Sequence, residues 1–213
     1  MITQLRQERE RERRRQQIIA ASKRAIAAKG FARTTIKDIA NEAELSPGTL
    51  YIYFKNKDEL YASLSIRMLK HLIVRLQRVK EMQTHDPVQL IDAVKKALCE
   101  VYDIDPPMLI NLFLLQSSET LENISAELLD QISELTRQCL LTLADIFEAG
   151  IEDGLFSARD PMQAALAVWA MFSGLILWEE SKRALDRHKN FLMPTLDIAF
   201  SVFGRGFESR PGG

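Results

Sequence analysis

Residues 34–61 read TTIKDIANEAELSPGTLYIYFKNKDELY, and the helix start signals in this stretch decide the fold. Thr35 and Asp38 have the spacing of a capping box, in which the hydroxyl takes one free backbone N–H and the acid reaches back to another. Ile36, Ile39, Ala40 and Ala43 then recur at i, i+3, i+4 and i+7, so one helical face is apolar and Lys37, Asn41 and Glu44 are left outward. Ser46 is a good N-cap, and Pro47 suits the first helical position, where its missing N–H is no loss. Leu50 and Phe54 lie one turn apart and pack inward, which turns Thr49, Tyr51, Ile52 and Tyr53 toward or around the outside. Asn56 and Glu59 form a further capping box that opens a long helix with Lys57 in its first turn. Two short helices joined by a tight turn, with a third opening directly behind, make a helix-turn-helix, an arrangement suited to the DNA major groove.

The exposed residue types fit that use. A phenol offers a ring to thymine methyls and sugars and a hydroxyl to phosphate. Gly48 presents no side chain at the tip of the second helix, and Lys57 adds a charge to the helix N-terminus behind it, a natural phosphate site. The run Thr-Thr, Ile-Ala, Ala, Leu-Ser-Pro-Gly-Thr-Leu-Tyr, Tyr-Phe-Lys-Asn-Lys-Asp-Glu-Leu, preceded by Ile18–Ile19 and the Lys29-Gly30-Phe31 turn, resembles the N-terminal domain of the TetR/AcrR family of transcriptional regulators.

The resemblance implies an all-α homodimer, with a three-helix helix-turn-helix domain over residues 1–56 and a C-terminal helical ligand-sensing and dimerisation domain over 57–213. Carried over position by position, it implies DNA contacts from Thr35, Lys37, Ser46, Pro47, Gly48, Thr49, Tyr51, Tyr53 and Lys57. One departure stands out. The turn between the two short helices usually carries glycine where this chain has Glu44, so either the turn differs or a left-handed non-glycine residue is tolerated at about 1–2 kcal/mol.

Composition agrees with this organisation. Of the 213 residues, 46% are hydrophobic, with only 9 Gly and 7 Pro, which favours compact helices. The net charge of −1 hides a +5 balance in residues 1–60 and a −6 balance in the remainder. A basic front and an acidic back suit a polyanion-binding head on a body that does not bind polyanions. Cys99 and Cys139 form no disulfide framework, no secretory signal precedes Ile18, and a reducing cytoplasm is the expected location. The cysteines read as inert core residues, with a redox switch as the alternative.

Residues 5–16, LRQERERERRRQ, mix both charge signs at helical spacing. They either extend the first helix, whose amphipathic part is Ile18–Ile26, or form an arginine-rich arm that reaches DNA, with the interleaved glutamates weakening that attraction. A long helix is expected from Lys57 to about Lys80. Asp86-Pro87, Asp105-Pro106-Pro107 and Gly154 to Pro161 punctuate the rest, predicting helices near 88–103, 107–117, 122–152, 161–184 and 190–204. No stretch alternates as a strand.

Residues 164–178, AALAVWAMFSGLILW, are apolar almost all round but shorter than the ~20 residues a bilayer requires, so no membrane partner is expected. Such a helix must be covered on every side. Within the resemblance it is the penultimate helix of a four-helix dimer interface, with Leu175, Trp178, Leu192, Leu196, Phe200 and Phe203 as its contacts. An ordinary core helix is the other reading of the same residues.

Little in the back half is arranged for catalysis. His71, His85 and His188 lack metal-ligand spacing, and no Gly-rich phosphate loop, Gly-x-Ser-x-Gly elbow or Cys-x-x-Cys is present, so neither an enzyme nor a metal or other cofactor is expected. Met68, Tyr102, Met108, Phe113, Phe147, Trp169 and Phe172 are bulky, adaptable side chains that either form plain core or line an apolar ligand pocket. Tyr102, Asn111, Gln116 and Glu119 are its candidate polar groups. The expected partners are therefore a double-stranded DNA operator, a hydrophobic or amphipathic small molecule and a second copy of the chain. The alternative is a small-molecule or redox-responsive helical protein without specific DNA recognition.

Overall fold

The structure is a computed structural model that describes residues 2–30, 33–115, 124–157, 160–183 and 191–207. Every regular element among these residues is an α-helix: α1 (Ile2–Lys29), α2 (Ile36–Glu42), α3 (Pro47–Tyr51), α4 (Lys57–Lys80), α5 (Pro87–Ile104), α6 (Pro106–Leu115), α7 (Ala126–Glu152), α8 (Pro161–Arg183) and α9 (Leu192–Phe207). Among the described residues one compact unit comprises 2–64 and 124–128, and the other 65–115 and 129–207. The division falls two turns inside α4 rather than at its start, because Leu60, Tyr61 and Leu64 are buried as part of the first unit's core.

In the first unit α1 packs on α2, and α2 on α3. Ile18, Ile19, Ala25 and Ile26 of α1 meet Ile39, Ala40, Leu50 and Phe54 in one apolar core. Gly30 ends α1 at a left-handed φ of 78°, its N–H returning to the Ile26 carbonyl at 2.7 Å, the usual glycine stop. Arg24 and Lys29 then pair with Glu42 and Asp38, both at 2.6 Å, and hold α1 against α2. The charged stretch before Ile18 is helical, so it extends α1. Glu10 pairs with Arg13 at 2.8 Å and Gln16 donates to Glu12 at 2.7 Å, the i, i+3 and i, i+4 contacts that alternating charge allows.

The turn between α2 and α3 settles the glycine question. Glu44 has φ 56°, its N–H donates to Asn41 O at 3.1 Å, and the Leu45 N–H donates to Ala40 O at 2.9 Å. This is a Schellman closure with a glutamate in the left-handed position, so the turn closes as it would with glycine and the strain is carried. Glu44→Gly is expected to stabilise the first unit by about 0.5–1 kcal/mol, the relief of left-handed strain less the added chain entropy of glycine. Slower amide exchange at Ile39 and Ala40 in the full chain would register it. Faster exchange would mean that the Glu44 side chain contributes more than its backbone costs.

In the second unit α5 packs on α6 and α9, and α8 packs on α6 and α9. Lys95 of α5 ties α5 to α9, lying 3.1 Å from Asp92 and 3.0 Å from Asp197 of α9. Arg75 of α4 pairs with Glu100 of α5 at 3.0 Å, and Lys80 of α4 with Asp145 of α7 at 2.7 Å. Helix α8 contains an 18-residue stretch of mean hydropathy 1.4, long and apolar enough by length and composition alone to cross a bilayer. Its Ala164, Ala165, Val168, Trp169, Phe172 and Ile176 are buried within the unit. Buried Glu179 closes it, bonded to Lys182 Nζ at 2.6 Å and to the Phe191 backbone N–H at 3.1 Å, where α9 begins.

Candidate nucleic-acid interface

Helices α2, α3 and α4 each position their first-turn residues through a cap. At the start of α2, the Thr35 hydroxyl accepts the Asp38 N–H at 3.2 Å while Asp38 accepts the Thr35 N–H at 2.9 Å. The Lys29 ammonium, with the Thr35 N–H and hydroxyl, holds the Asp38 carboxyl well below the usual carboxylate range. Thr35 and Lys37 are exposed on this first turn. At the start of α3, Ser46 Oγ accepts the Thr49 N–H at 3.1 Å and lies 2.9 Å from the Thr49 hydroxyl. The cap fixes where α3 begins, and Ser46, Pro47 and Gly48 form its exposed tip.

A Cβ added at Gly48 would meet only Ser46 Oγ, at 3.7 Å. The fold itself therefore makes no demand for glycine there. Leu50 and Phe54 are buried, Tyr51 is exposed, and Thr49 and Tyr53 are half-buried. The regular helix stops at Tyr51, and Ile52 and Tyr53 continue as a tighter turn in which the Tyr53 N–H donates to Leu50 O at 2.9 Å. The sequence turns Ile52 outward without marking it as a DNA contact. At 69% exposure it is the most exposed large apolar side chain among the described residues, and its place between two tyrosines, off the Leu50 and Phe54 face, is the available signal.

Behind α3, Asn56 Oδ1 accepts the Glu59 N–H at 2.8 Å and the Glu59 carboxylate accepts the Lys55 N–H at 3.0 Å. This caps α4 much as the spacing predicts. Lys57 stands half-buried at its first position, with Nζ 5.8 Å from the Tyr61 ring centroid. Burial pulls its ammonium below the ordinary lysine value, with Asp58 opposing. An anion brought to this cation would restore much of what burial removes.

The seven candidate ligand-lining side chains, Met68, Tyr102, Met108, Phe113, Phe147, Trp169 and Phe172, are all buried in the second unit. Phe113 stacks edge-on against Trp169 at 5.7 Å and against Phe172 at 6.2 Å, which brings three of them together. Asn111 belongs to α6, but its side chain lies outside the described residues, as do Gln116, Glu119 and His188. Two buried hydroxyls that the sequence did not single out, Ser65 on α4 and Thr136 on α7, have no hydrogen-bond partner among the described residues. Nothing in the local pattern distinguishes them from ordinary helix-surface polar residues.

An open cleft of about 400 Å³ lies between α5 and α9, lined by Ile91, Lys95, Phe200 and Gly204 among others, and none of the seven candidates reaches it. Burial pushes the Cys139 thiol up to about 12 and, with Asp103, the Cys99 thiol up to about 11. Neither is a ready nucleophile at neutral pH, which removes support for the redox alternative. No cluster of potential metal ligands occurs among the described residues.

Of the six residues expected at a partner subunit, Leu192, Leu196 and Phe200 are buried within their own unit, and half-buried Phe203 stacks on Phe147 at 6.0 Å. Leu192, Leu196 and Phe200 thus lie on a side of α9 that packs within its own subunit, where α5 and α8 meet the helix. Leu175 is half-buried and Trp178 is 64% exposed. The uncovered apolar side chains are Leu166 and Trp178 on α8 and Met193, Ile198 and Val202 on α9.

A family model described as bacterial regulatory proteins, tetR family, matches residues 18–64, and one for the tetracyclin repressor-like C-terminal domain matches residues 114–182. The chain is 30% identical over 171 residues to the HTH-type transcriptional regulator TtgR of Pseudomonas putida, covering 76% of this chain and 78% of that one. It is also 30% identical over 139 residues to the fatty acid metabolism regulator protein of Bacillus subtilis (strain 168), covering 65% and 68%. Among solved structures, the transcriptional regulator FadR of Bacillus subtilis in complex with stearoyl-CoA superposes with a TM-score of 0.68 at 21% identity, over 90% of this chain and 98% of that one.

Proposed function

Because the chain belongs to the TetR family of bacterial transcriptional regulators, we propose that it is a ligand-responsive repressor that binds a palindromic operator as a homodimer and is released by a hydrophobic or amphipathic small molecule. The observation that carries the DNA-reading half is the tip of α3. Gly48 is open where the fold would accept a side chain, Tyr51 and Ile52 project beside it, and Lys57 stands at the head of α4. An empty tip flanked by a phenol ring and an aliphatic side chain suits close approach of a groove wall, and the lysine suits a phosphate.

The two-fold half rests on the second unit. Only 33% of the apolar α8 window is buried within the chain, and Leu166, Trp178, Ile198 and Val202 remain exposed along α8 and α9. Large apolar side chains left exposed on two neighbouring helices suit an interface, and a palindrome reader is expected to be two-fold with its reading helices about 34–36 Å apart.

The ligand half rests on the aromatic group Phe113, Trp169 and Phe172 and on the Ser65 and Thr136 hydroxyls. A buried hydroxyl without a partner is costly, and an amphipathic ligand's polar group would offset that cost. A relative named as a fatty acid metabolism regulator and a structural neighbour holding stearoyl-CoA fit an amphipath of this kind. In this reading the ligand favours a state in which α4 tilts and the two heads cannot dock together. By linkage, DNA must then weaken ligand binding by the same factor.

The test is selection of genomic fragments by the purified dimer at moderate salt, followed by salt titration on the recovered duplex. One or a few palindromes are expected. Tyr51→Ala should cost about 1–3 kcal/mol on the selected duplex, and Lys57→Ala should weaken every sequence and lower the salt slope by about one unit per subunit. Gly48→Ala should lower affinity while leaving thermal stability unchanged or slightly raised, since alanine is the better helix former. A featureless pool, identical for wild type and Lys57→Ala, would overturn the operator reading.

A further inference from the structure

We propose that Arg15 is a positioning residue for sequence reading, which locks the joint between α3 and α4 and sets the aim of the reading helix without itself touching DNA; this rests on the operator reading above. Its guanidinium carbon lies 5.0 Å from the centre of the Phe54 ring, and its Nη2 donates to Ser63 Oγ at 2.7 Å. Phe54 closes the turn that follows α3, and Ser63 stands on the second turn of α4. One side chain from α1 therefore grips the chain on both sides of the joint that carries Lys57.

The hydrogen bonds continue inward from that grip. Ser63 has one proton and two lone pairs; it accepts from Arg15 and donates to the Glu59 carbonyl at 3.0 Å. The Glu59 carboxylate accepts the Lys55 N–H at 3.0 Å, and its own N–H reaches Asn56 Oδ1 at 2.8 Å. Residues 55–59 are thus braced from α1 through a single relay. Phe54, Ser63 and Glu59 are buried, so the stacked face of the guanidinium and its Nη2 are turned into the protein. Only a planar cation with a fork of donors satisfies the ring and the hydroxyl together, and a lysine ammonium must choose between them. Of the arginines in the charged stretch, Arg15 alone makes a long-range contact of this kind among the described residues.

The test compares wild type, Arg15→Met, Arg15→Lys and Ser63→Ala in the full-length dimer. Affinity for the duplex selected by wild type and for a scrambled duplex is measured across salt, at temperatures where circular dichroism shows each variant folded. Arg15→Met should lower the ratio of specific to non-specific affinity about tenfold, from loss of one stacked cation and one charge-assisted hydrogen bond at the joint. Non-specific affinity should stay within about twofold and the salt slope should not change, because no phosphate contact is lost. Arg15→Lys should restore part of the ratio, and Ser63→Ala should lower it about threefold, which serves if Arg15→Met does not fold.

Parallel loss on both duplexes with a salt slope lower by about one per subunit would make Arg15 a phosphate contact and overturn the proposal. An unchanged ratio in both Arg15→Met and Ser63→Ala would overturn it as well. If wild type itself fails to discriminate the two duplexes, the operator reading fails, and the role assigned to Arg15 falls with it.

Discussion

Ile198→Glu combined with Val202→Glu is expected to give a folded monomer that has lost operator binding by a factor on the order of 10²–10⁴. Both side chains are more than half exposed, at 67% and 57%, one turn apart on α9. Charging them removes nothing from the subunit's own core, so its stability should move by no more than about 0.5 kcal/mol. Two glutamates per subunit brought together across a two-fold axis would each meet a like charge in a desolvated surface, which an interface built on Trp178, Leu166, Ile198 and Val202 does not tolerate. Once the heads are unlinked, each half-site must be bound separately, and the second binding event no longer profits from the first. Sedimentation equilibrium and light scattering would report the mass directly. A stable dimer in the double variant would place the contact elsewhere on the chain. Leu196→Glu is the contrast: at 1% exposure it should unfold the second unit, because the charge enters the subunit's own core.

The head was legible for a local reason. Caps, turn residues and the i, i+4 pair Leu50 and Phe54 each act over three or four positions, and every one of the three capping signals, at Thr35, Ser46 and Asn56, is used at its expected place. Glu44 shows where local reading stops: the sequence posed two alternatives, and only the φ of 56° chose between them. The charged stretch before Ile18 posed two more, and its continuous helix, anchored at Arg15, follows from packing on Phe54, 39 positions away. Helical periodicity reports that a face is apolar and not what covers it. On α9, with apolar residues on two sides, it picked the Leu192, Leu196 and Phe200 face that α5 and α8 occupy. Helix α8, apolar all round, carried no directional signal at all. The unpartnered Ser65 and Thr136 hydroxyls depend on which neighbours fail to reach them, a property no window of sequence contains.

Phe147→Ala is expected to cost about 3–5 kcal/mol, a large share of the roughly 5–15 kcal/mol that holds a domain of ordinary stability together. Phe147 is fully buried on α7, with its ring 5.8 Å from Phe156 and 6.0 Å from Phe203. Gly150, one turn along, lies so close under Phe156 that a Cβ there would stand 2.6 Å from the ring. The backbone of α7 therefore already meets one face of this aromatic group, and little can move in to fill the space a lost phenyl leaves. Incomplete collapse is what raises the cost of a large-to-small change above the transfer term alone. The two roles open to Phe147 from the sequence separate on this number. As core, its loss should lower the urea midpoint strongly, and a small aromatic such as benzene should recover part of the loss by occupying the new cavity. As the wall of a ligand pocket, the ring would be packed on one side only, and its loss should cost under about 1.5 kcal/mol while shifting the response to the inducing ligand. The contacts on both neighbouring rings favour the core role for Phe147 and leave Phe113, Trp169 and Phe172 as the aromatic group to test against ligand.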